Sequence, residues 1–382
     1  MSSVSESSTD SSSGATRPLR VIQWATGNVG QASLRALIGN PAFDLVGVYV
    51  YSDDKEGRDV GELAGLEPAA LRATHDREAI LALDADAVVY NALGDTGDAE
   101  QCVDDICALL ASGKNVVSTA VSTHIHPASM SPGVADRISS ACAAGKTTFH
   151  SSGVNPGFAF DILPVVVSTI GDRIDSIDIT ELVDMSAYDS ASVVRDMIGM
   201  GLSPDDLAPM DFLTDVTWSP YYACIALLQQ AFSVTFEDFA ITCEKATTPV
   251  PVTLPWGTID AGTVAARRID IEGIVDGTRR LGYHMVWRVS NDVAPEWPSG
   301  AAHYELSLLG DPRIDVRLDI TSPSGRGTSI ATAMHAVNAI EPVCAARPGI
   351  VTRLDLGLHA GGYLRGSHSA TRVTERAQAG IS

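Results

Sequence analysis

Basic residues are scarce in this chain of 382: Lys and Arg number 26 against 47 Asp and Glu, a formal charge of −21. A surface that acidic repels phosphate backbones and anionic lipid, which argues against nucleic-acid binding and membrane docking. Long apolar runs are missing too. The richest, Phe158 to Ile170, is broken by Asp161 and Pro164 and falls short of the roughly 18–20 residues that span a bilayer. Residues 2–13 are mostly Ser with Glu6 and Asp10, lacking the basic start and apolar core of an export signal. The six cysteines (102, 107, 142, 224, 243 and 344) include no CxxC pair. They read as reduced thiols of a cytoplasmic protein, not as a disulfide framework.

What is present is a globular composition, 45% hydrophobic and 19% charged. The length suits two or three domains of roughly 100–200 residues. The polar segments 1–16 and 366–382 read as flexible tails. Between them, strand signals at 19–25, 44–51, 87–92, 115–119 and 147–150 alternate with helical ones. Helices are expected after the first strand, at 98–112, and at 132–144 with Ser131 as cap and Pro132 in the first turn. That alternation predicts βαβ units and a parallel sheet.

From Asn155 the texture changes. Asn155-Pro156 reads as the cap of a helix running to about Ile170. Strands follow at 176–181, 236–243, 264–275, 283–289, 304–309 and 314–321, with helical stretches at 190–213 and 217–233. In the last strand Ile314, Val316, Leu318 and Ile320 alternate with Asp315, Arg317 and Asp319, the mark of a sheet with one buried face. A final helix, Thr332–Ala345, returns to the first domain. The expected fold is α/β. A Rossmann-type parallel-sheet domain (17–155 plus 331–365) is joined to an α+β domain (156–330) on a mostly antiparallel sheet. Helices or a second subunit must cover that sheet's apolar face, and a homodimer is the expected assembly.

The strongest motif is Val21-Ile22-Gln23-Trp24-Ala25-Thr26-Gly27-Asn28-Val29-Gly30, between the first strand and the first helix. A dinucleotide pyrophosphate needs close backbone approach and a helix N-terminus, and this junction supplies both. Read as GxGxxG, Ala25 takes the first glycine's place, Gly27 admits the phosphate and Gly30 lets the helix pack on the sheet. Ala25, Thr26, Gly27, Asn28, Val29 and Gly30 are thus cofactor candidates. The second strand ends at Tyr51-Ser52, before Asp53, Asp54, Lys55 and Arg58. Ser52 with Lys55 or Arg58 suits NADP; Asp53 disfavours its 2′-phosphate, so NAD and NADP both stay open. Asn91 and Ala92 after the third strand, and Thr119 after the fourth, are expected beside the nicotinamide ribose. Asn155 can combine its capping role with a nicotinamide contact. Glu181, closing the first strand of the second domain, can bind a substrate amine or serve structural hydrogen bonding.

Trp24 to Gly30 resembles the GxxGxxG loop of dihydrodipicolinate reductases, with Trp24 in the first glycine's place. With Gly57–Glu62 (GRDVGE), Gly113–Val117 (GKNVV) and Gly153–Phe158 (GVNPGF), the chain resembles the 2,4-diaminopentanoate dehydrogenase branch, which includes native amine dehydrogenases. The resemblance covers about 18–365. True dihydrodipicolinate reductases carry a His-His pair with a nearby Lys in the second domain, which this chain lacks. The resemblance implies reversible oxidative deamination of a primary amine by NAD(P)⁺. It also implies an acid–base glutamate in a Glu-Glu-x-x-Tyr-Pro-like segment. Here that segment reads Val121-Ser122-Thr123-His124-Ile125-His126-Pro127, with Ser122 and Thr123 in place of the glutamates.

His124 and His126 are candidates for the missing proton transfer, since imidazole titrates near neutrality. In an extended segment residues two apart share a side, so both are expected to face the nicotinamide. No carboxylate or cysteine at ligand spacing accompanies them, and no metal is expected. The expected activity is NAD(P)-dependent oxidoreduction at CH–NH₂ or C=N, on a small amine, imine or carbonyl compound. An imine or carbonyl reductase, or a dinucleotide-binding protein without turnover, are the alternatives.

Overall fold

The computed structural model describes residues 17–95, 97–206 and 216–361. The expected tails, residues 362–365 and the helical stretch beyond 206 as far as 213 lie outside the described residues. The first half alternates as the pattern predicts: β1 (Leu19–Trp24), α1 (Asn28–Gly39), β2 (Phe43–Tyr49), α2 (Val60–Ala64), α3 (Arg77–Ala82), β3 (Ala87–Tyr90), α4 (Ala99–Ala111), β4 (Asn115–Ser118), α5 (Val134–Gly145) and β5 (Thr148–Ser151). Period-two alternation sends each strand's residues to opposite faces. Val88, Val116 and Phe149 pack under Ile106 and Leu109 of α4 and Ile138 of α5. Val21, Val89 and Val117 face Leu37 of α1 on the other side. Asp98 caps α4 by accepting from the Gln101 N–H. α5 starts at Val134, two residues later than expected, because Gly133 turns left-handed at φ +79° directly before it.

The expected helix from Asn155 starts instead at Ile162. α6 (Ile162–Ser168) is capped by Asp161, whose carboxylate accepts from the Ile162 and Gly157 N–H groups. Gly157 (φ +122°) folds so tightly over Gly153 that a Cβ would lie 2.4 Å from the Gly153 nitrogen. That turn uses up the residues meant for the first helical turn. The following strands are β6 (Arg173–Asp184), then, after α7 (Tyr222–Phe232), β7 (Asp238–Thr247), β8 (Val252–Leu254), β9 (Gly257–Ile259), β10 (Val264–Val275), β11 (Thr278–Arg288), β12 (His303–Asp311) and β13 (Ile314–Asp319).

Six of them form a mixed sheet in the order β13-β12-β6-β11-β10-β7. Only β6 and β11 run parallel there; the other neighbours are antiparallel. Helices α6 and α7 cover its apolar face, where Ile225 and Leu228 meet Ile179, Ile271 and Leu306. The described part of the helix expected at 190–213 is a π-helical stretch, Ser192–Met197, which ends where Gly199 and Gly201 both turn left-handed.

The chain then returns to the parallel sheet. The single helix expected at 332–345 is two, α8 (Gly327–Val337) and α9 (Ile340–Ala345). A continuous helix would drive the Pro342 ring into the Asn338 carbonyl, so the chain breaks there and restarts. Both helices complete the second core, Ala336, Ile340 and Val343 joining Val21 and Val117. β14 (Gly349–Ile350) pairs with β5, giving an all-parallel sheet in the order β14-β5-β4-β3-β1-β2.

Candidate active site

β1 is anchored by fully buried Val21, Ile22 and Trp24, and the chain passes from its end into α1 within three residues. Ala25 takes φ +71°, a conformation costing an L-residue roughly 1–2 kcal/mol, where the motif carries glycine. Gln23 holds it there, donating from Nε2 to the Ala25 carbonyl at 2.7 Å. At Gly30 a Cβ would lie 2.3 Å from that same carbonyl oxygen, so only glycine fits. At Gly27 a Cβ would meet nothing within 4 Å and would project into open space. α1 has no side-chain cap, which leaves its first N–H groups, beside exposed Asn28 and half-buried Val29, free for a ligand. The buried Thr26 hydroxyl also has no partner among the described residues. This cradle fits a dinucleotide pyrophosphate.

Neighbouring loops share the same sheet edge. Ser52 is exposed and precedes the turn Asp53–Lys55; the Lys55 ammonium donates to the Thr26 carbonyl at 3.3 Å. Asn91, with buried Ala92 after it, donates from Nδ2 to the Thr119 hydroxyl at 2.8 Å. Its Oδ1 accepts from Gln23 Nε2 at 2.9 Å. Gln23 thus ties the β1 loop to the β3 loop, a role missed in the sequence. The available signal was a lone amide inside the apolar run Val21–Trp24. A surface depression lined by Leu19, Pro41 and Cys344 lies at the opposite edge, away from these loops.

The mixed sheet brings a carboxylate to the loops at this edge. Glu181 stands on β6 with 5% of its surface exposed. Asn155 Nδ2 donates to its Oε1 at 3.0 Å and Trp287 Nε1 donates to its Oε2 at 3.0 Å, with Tyr304 its partner across the β6–β12 ladder. Lost hydration raises this carboxyl above its ordinary range, against the pull of those donors. A second bridge joins Asn28 Nδ2 to Asp189 Oδ1 at 2.9 Å. Both bonds run from the parallel-sheet loops to the residues of β6 and the loop after it.

The family described as the 2,4-diaminopentanoate dehydrogenase C-terminal domain matches residues 158–367. An amine dehydrogenase of Streptomyces virginiae is 33% identical over 352 residues, covering 89% of this chain and 96% of its own. The chain belongs to the amine dehydrogenase and 2,4-diaminopentanoate dehydrogenase family. The 2,4-diaminopentanoate dehydrogenase of Acetoanaerobium sticklandii is 23% identical over 243 residues, 63% of this chain and 66% of its own. In fold, the structure of an amine dehydrogenase from Mycobacterium smegmatis matches with a TM-score of 0.71 at 18% identity, over 91% of this chain and 97% of that one. Like its family, the protein is an oxidoreductase that uses a nicotinamide dinucleotide.

Family membership sharpens the question of the segment after β4, which does not have the expected extended form. Ser122–Ile125 is a 3₁₀ turn, and a second follows at Pro127–Ser129. A helical turn separates residues two apart, so the two imidazoles do not face one way. His124 is buried with its ring edge toward Phe149 of the parallel-sheet core, and its Nδ1 has no partner among the described residues. Burial pushes it down to about 4, so it stays neutral and has no proton to give near pH 7. His126 accepts from the Ala128 N–H at Nδ1 and bonds Gln230 of α7 through Nε2. The Thr123 carbonyl accepts from Ser129 Oγ. Ser122 donates from both its N–H and its hydroxyl to Asp95, a carboxylate the sequence reading overlooked. Among the described residues no cluster of three His, Cys, Asp or Glu is arranged for a metal.

Proposed function

We propose that this protein catalyses reversible oxidative deamination of a small primary amine in the crevice between its two sheets. The observation that carries the reading is the buried Glu181 carboxylate bonded to Asn155 at 3.0 Å, beside a cradle open to pyrophosphate. When bound, the dinucleotide accepts the hydride: the substrate ammonium, water and oxidised cofactor give ketone, ammonium ion, reduced cofactor and one proton. The free N–H groups of α1 and the Thr26 hydroxyl would hold the pyrophosphate. Asn91, Thr119 and Asn155 would orient the nicotinamide side. Glu181, fixed by the Asn155 and Trp287 donors, offers a preorganised negative charge that favours the cationic imine over the neutral amine.

The finer readings follow from the same residues. NADP is favoured because the Lys55 ammonium sits against the glycine loop, while Asp53 is 97% exposed and turned toward His75. Free thiols at all six cysteines suit the cytoplasm. With α6 and α7 on one face of the mixed sheet, its polar face around Asp178, Asp270 and His284 is left for a second copy in a homodimer. The test is a panel of primary amines with NAD⁺ and NADP⁺, run in reverse with ketones and ammonia. Amine-dependent reduction of cofactor, with tighter binding of NADPH than of NADH, is the expected result. Turnover of ketones without any need for ammonia would favour a carbonyl reductase instead.

A further inference from the structure

The β3–α4 loop lies against the segment that follows β4. The N–H groups of Gly94 and Asp95 both donate to the Ala120 carbonyl, at 3.1 and 3.2 Å. Only glycine permits this approach, since a Cβ on Gly94 would lie 2.5 Å from Val121 Cγ2 and 2.7 Å from the Ala120 oxygen. The contact carries the Asp95 side chain across to Ser122. There Oδ1 accepts from the Ser122 N–H at 3.0 Å and from its hydroxyl at 3.1 Å, and Oδ2 keeps only a long 3.3 Å contact to the same N–H. A carboxylate bonded to the Ser122 hydroxyl sits about where a glutamate rooted at 122 would place its own. We propose that Asp95 is the carboxylate that exchanges protons with the substrate, in place of the glutamate that the resemblance sets at Ser122 or Thr123.

The two carboxylates of the crevice then divide the work. Glu181 has both oxygens bonded and holds charge. Asp95 keeps part of its surface in solvent, and its Oδ2, held only by the long 3.3 Å contact to the Ser122 N–H, is the oxygen placed to take and return a proton. Protein surrounding it reduces its hydration and raises its carboxyl, against the pull of the Ser122 bonds, toward the pH where proton exchange is useful. It takes the proton of the substrate ammonium before hydride leaves. It passes that proton to solvent, takes one from the water that adds to the imine and returns it to the departing nitrogen; the hydroxyl proton of the carbinolamine leaves with the ammonia as ammonium ion. This assignment rests on the amine reading above.

The test is Asp95→Asn, which keeps an acceptor for Ser122, measured with the best amine of the panel. Its kcat should fall about a hundredfold. The low-pH limb of kcat/KM should vanish while the Kd of reduced cofactor stays within twofold. Adding Ser122→Glu to that variant should restore at least tenfold of the rate and bring the limb back. A variant that keeps its rate within threefold and its limb overturns the assignment and leaves the amine reading standing. So does a slow variant with an unchanged limb and no recovery through Ser122→Glu. Wild type inert with every amine and ketone, yet binding cofactor, overturns the amine reading and Asp95 with it.

Discussion

The two sheets present different chemistry at the edge where their loops meet. The parallel sheet offers backbone: an uncapped helix, a glycine facing open space, and a loop whose Ala25 is held left-handed by Gln23. The mixed sheet offers a side chain charge, Glu181, raised off a strand face and locked by Trp287 and Asn155. Backbone donors suit a ligand whose phosphates are always the same. A side chain on a strand can be exchanged without disturbing the ladder, which suits a surface that must select a substrate.

If that division is right, damage to either sheet should fail in its own way. Gly27→Val should have the largest effect, filling the open cradle and weakening NAD(P)H binding about a hundredfold or more, read by cofactor fluorescence. A folded variant with unchanged affinity would remove the pyrophosphate from this loop. Glu181→Gln should leave cofactor affinity within twofold but lower kcat/KM for amines by about ten- to a hundredfold. Loss of both together would mean that the two sheets do not act separately.

A third test concerns the parallel-sheet core, where His124 and His150 are held neutral near 4 by burial. Their folded values lie below the unfolded 6.5, so the unfolded chain binds more protons. The stability they contribute is complete above pH 6.5 and is lost as pH falls toward 4, up to about 3 kcal/mol for each. His124→Gln should flatten that slope in denaturant titrations; an unchanged slope would mean that His124 is reached by water. His126→Ala should have the smallest effect. Removing its bonds to Ala128 and Gln230 should cost about 1 kcal/mol of stability and leave the rate within twofold. A tenfold loss of rate at constant stability would return His126 to the proton-transfer role first expected of it.

The glycine loop was legible because its geometry is carried by consecutive residues: a strand, Gly27, Gly30 and a helix follow within one short stretch. Gly57–Glu62 was also visible as a motif, but its use is structural. Asp59 accepts from the Gly61, Ala69 and Ala70 N–H groups and closes the loop around α2. The histidine segment was misread because its period was taken as that of a strand, whereas two 3₁₀ turns send His124 inward and His126 toward α7. Asp95 escaped notice because nothing in Asn91-Ala92-Leu93-Gly94-Asp95 tells which neighbour the loop touches.

By itself the sequence determined the alternation of strands and helices in the first half, the single-sided strands of the second, and the glycine loop between β1 and α1. All of these are written in local periodicity and in residue types with restricted backbones. Tertiary structure decided which groups the carboxylates meet. Glu181 meets Asn155 across 26 residues and Trp287 across 106, and Asp95 meets Ser122 across 27. Contacts of that separation depend on how strands are ordered in a sheet and how closely two loops approach, and no local pattern encodes either. The same reason explains the division of the final helix: Pro342 announced a break locally, but the place of α8 and α9 against Val21 and Val117 was fixed only by the core they complete.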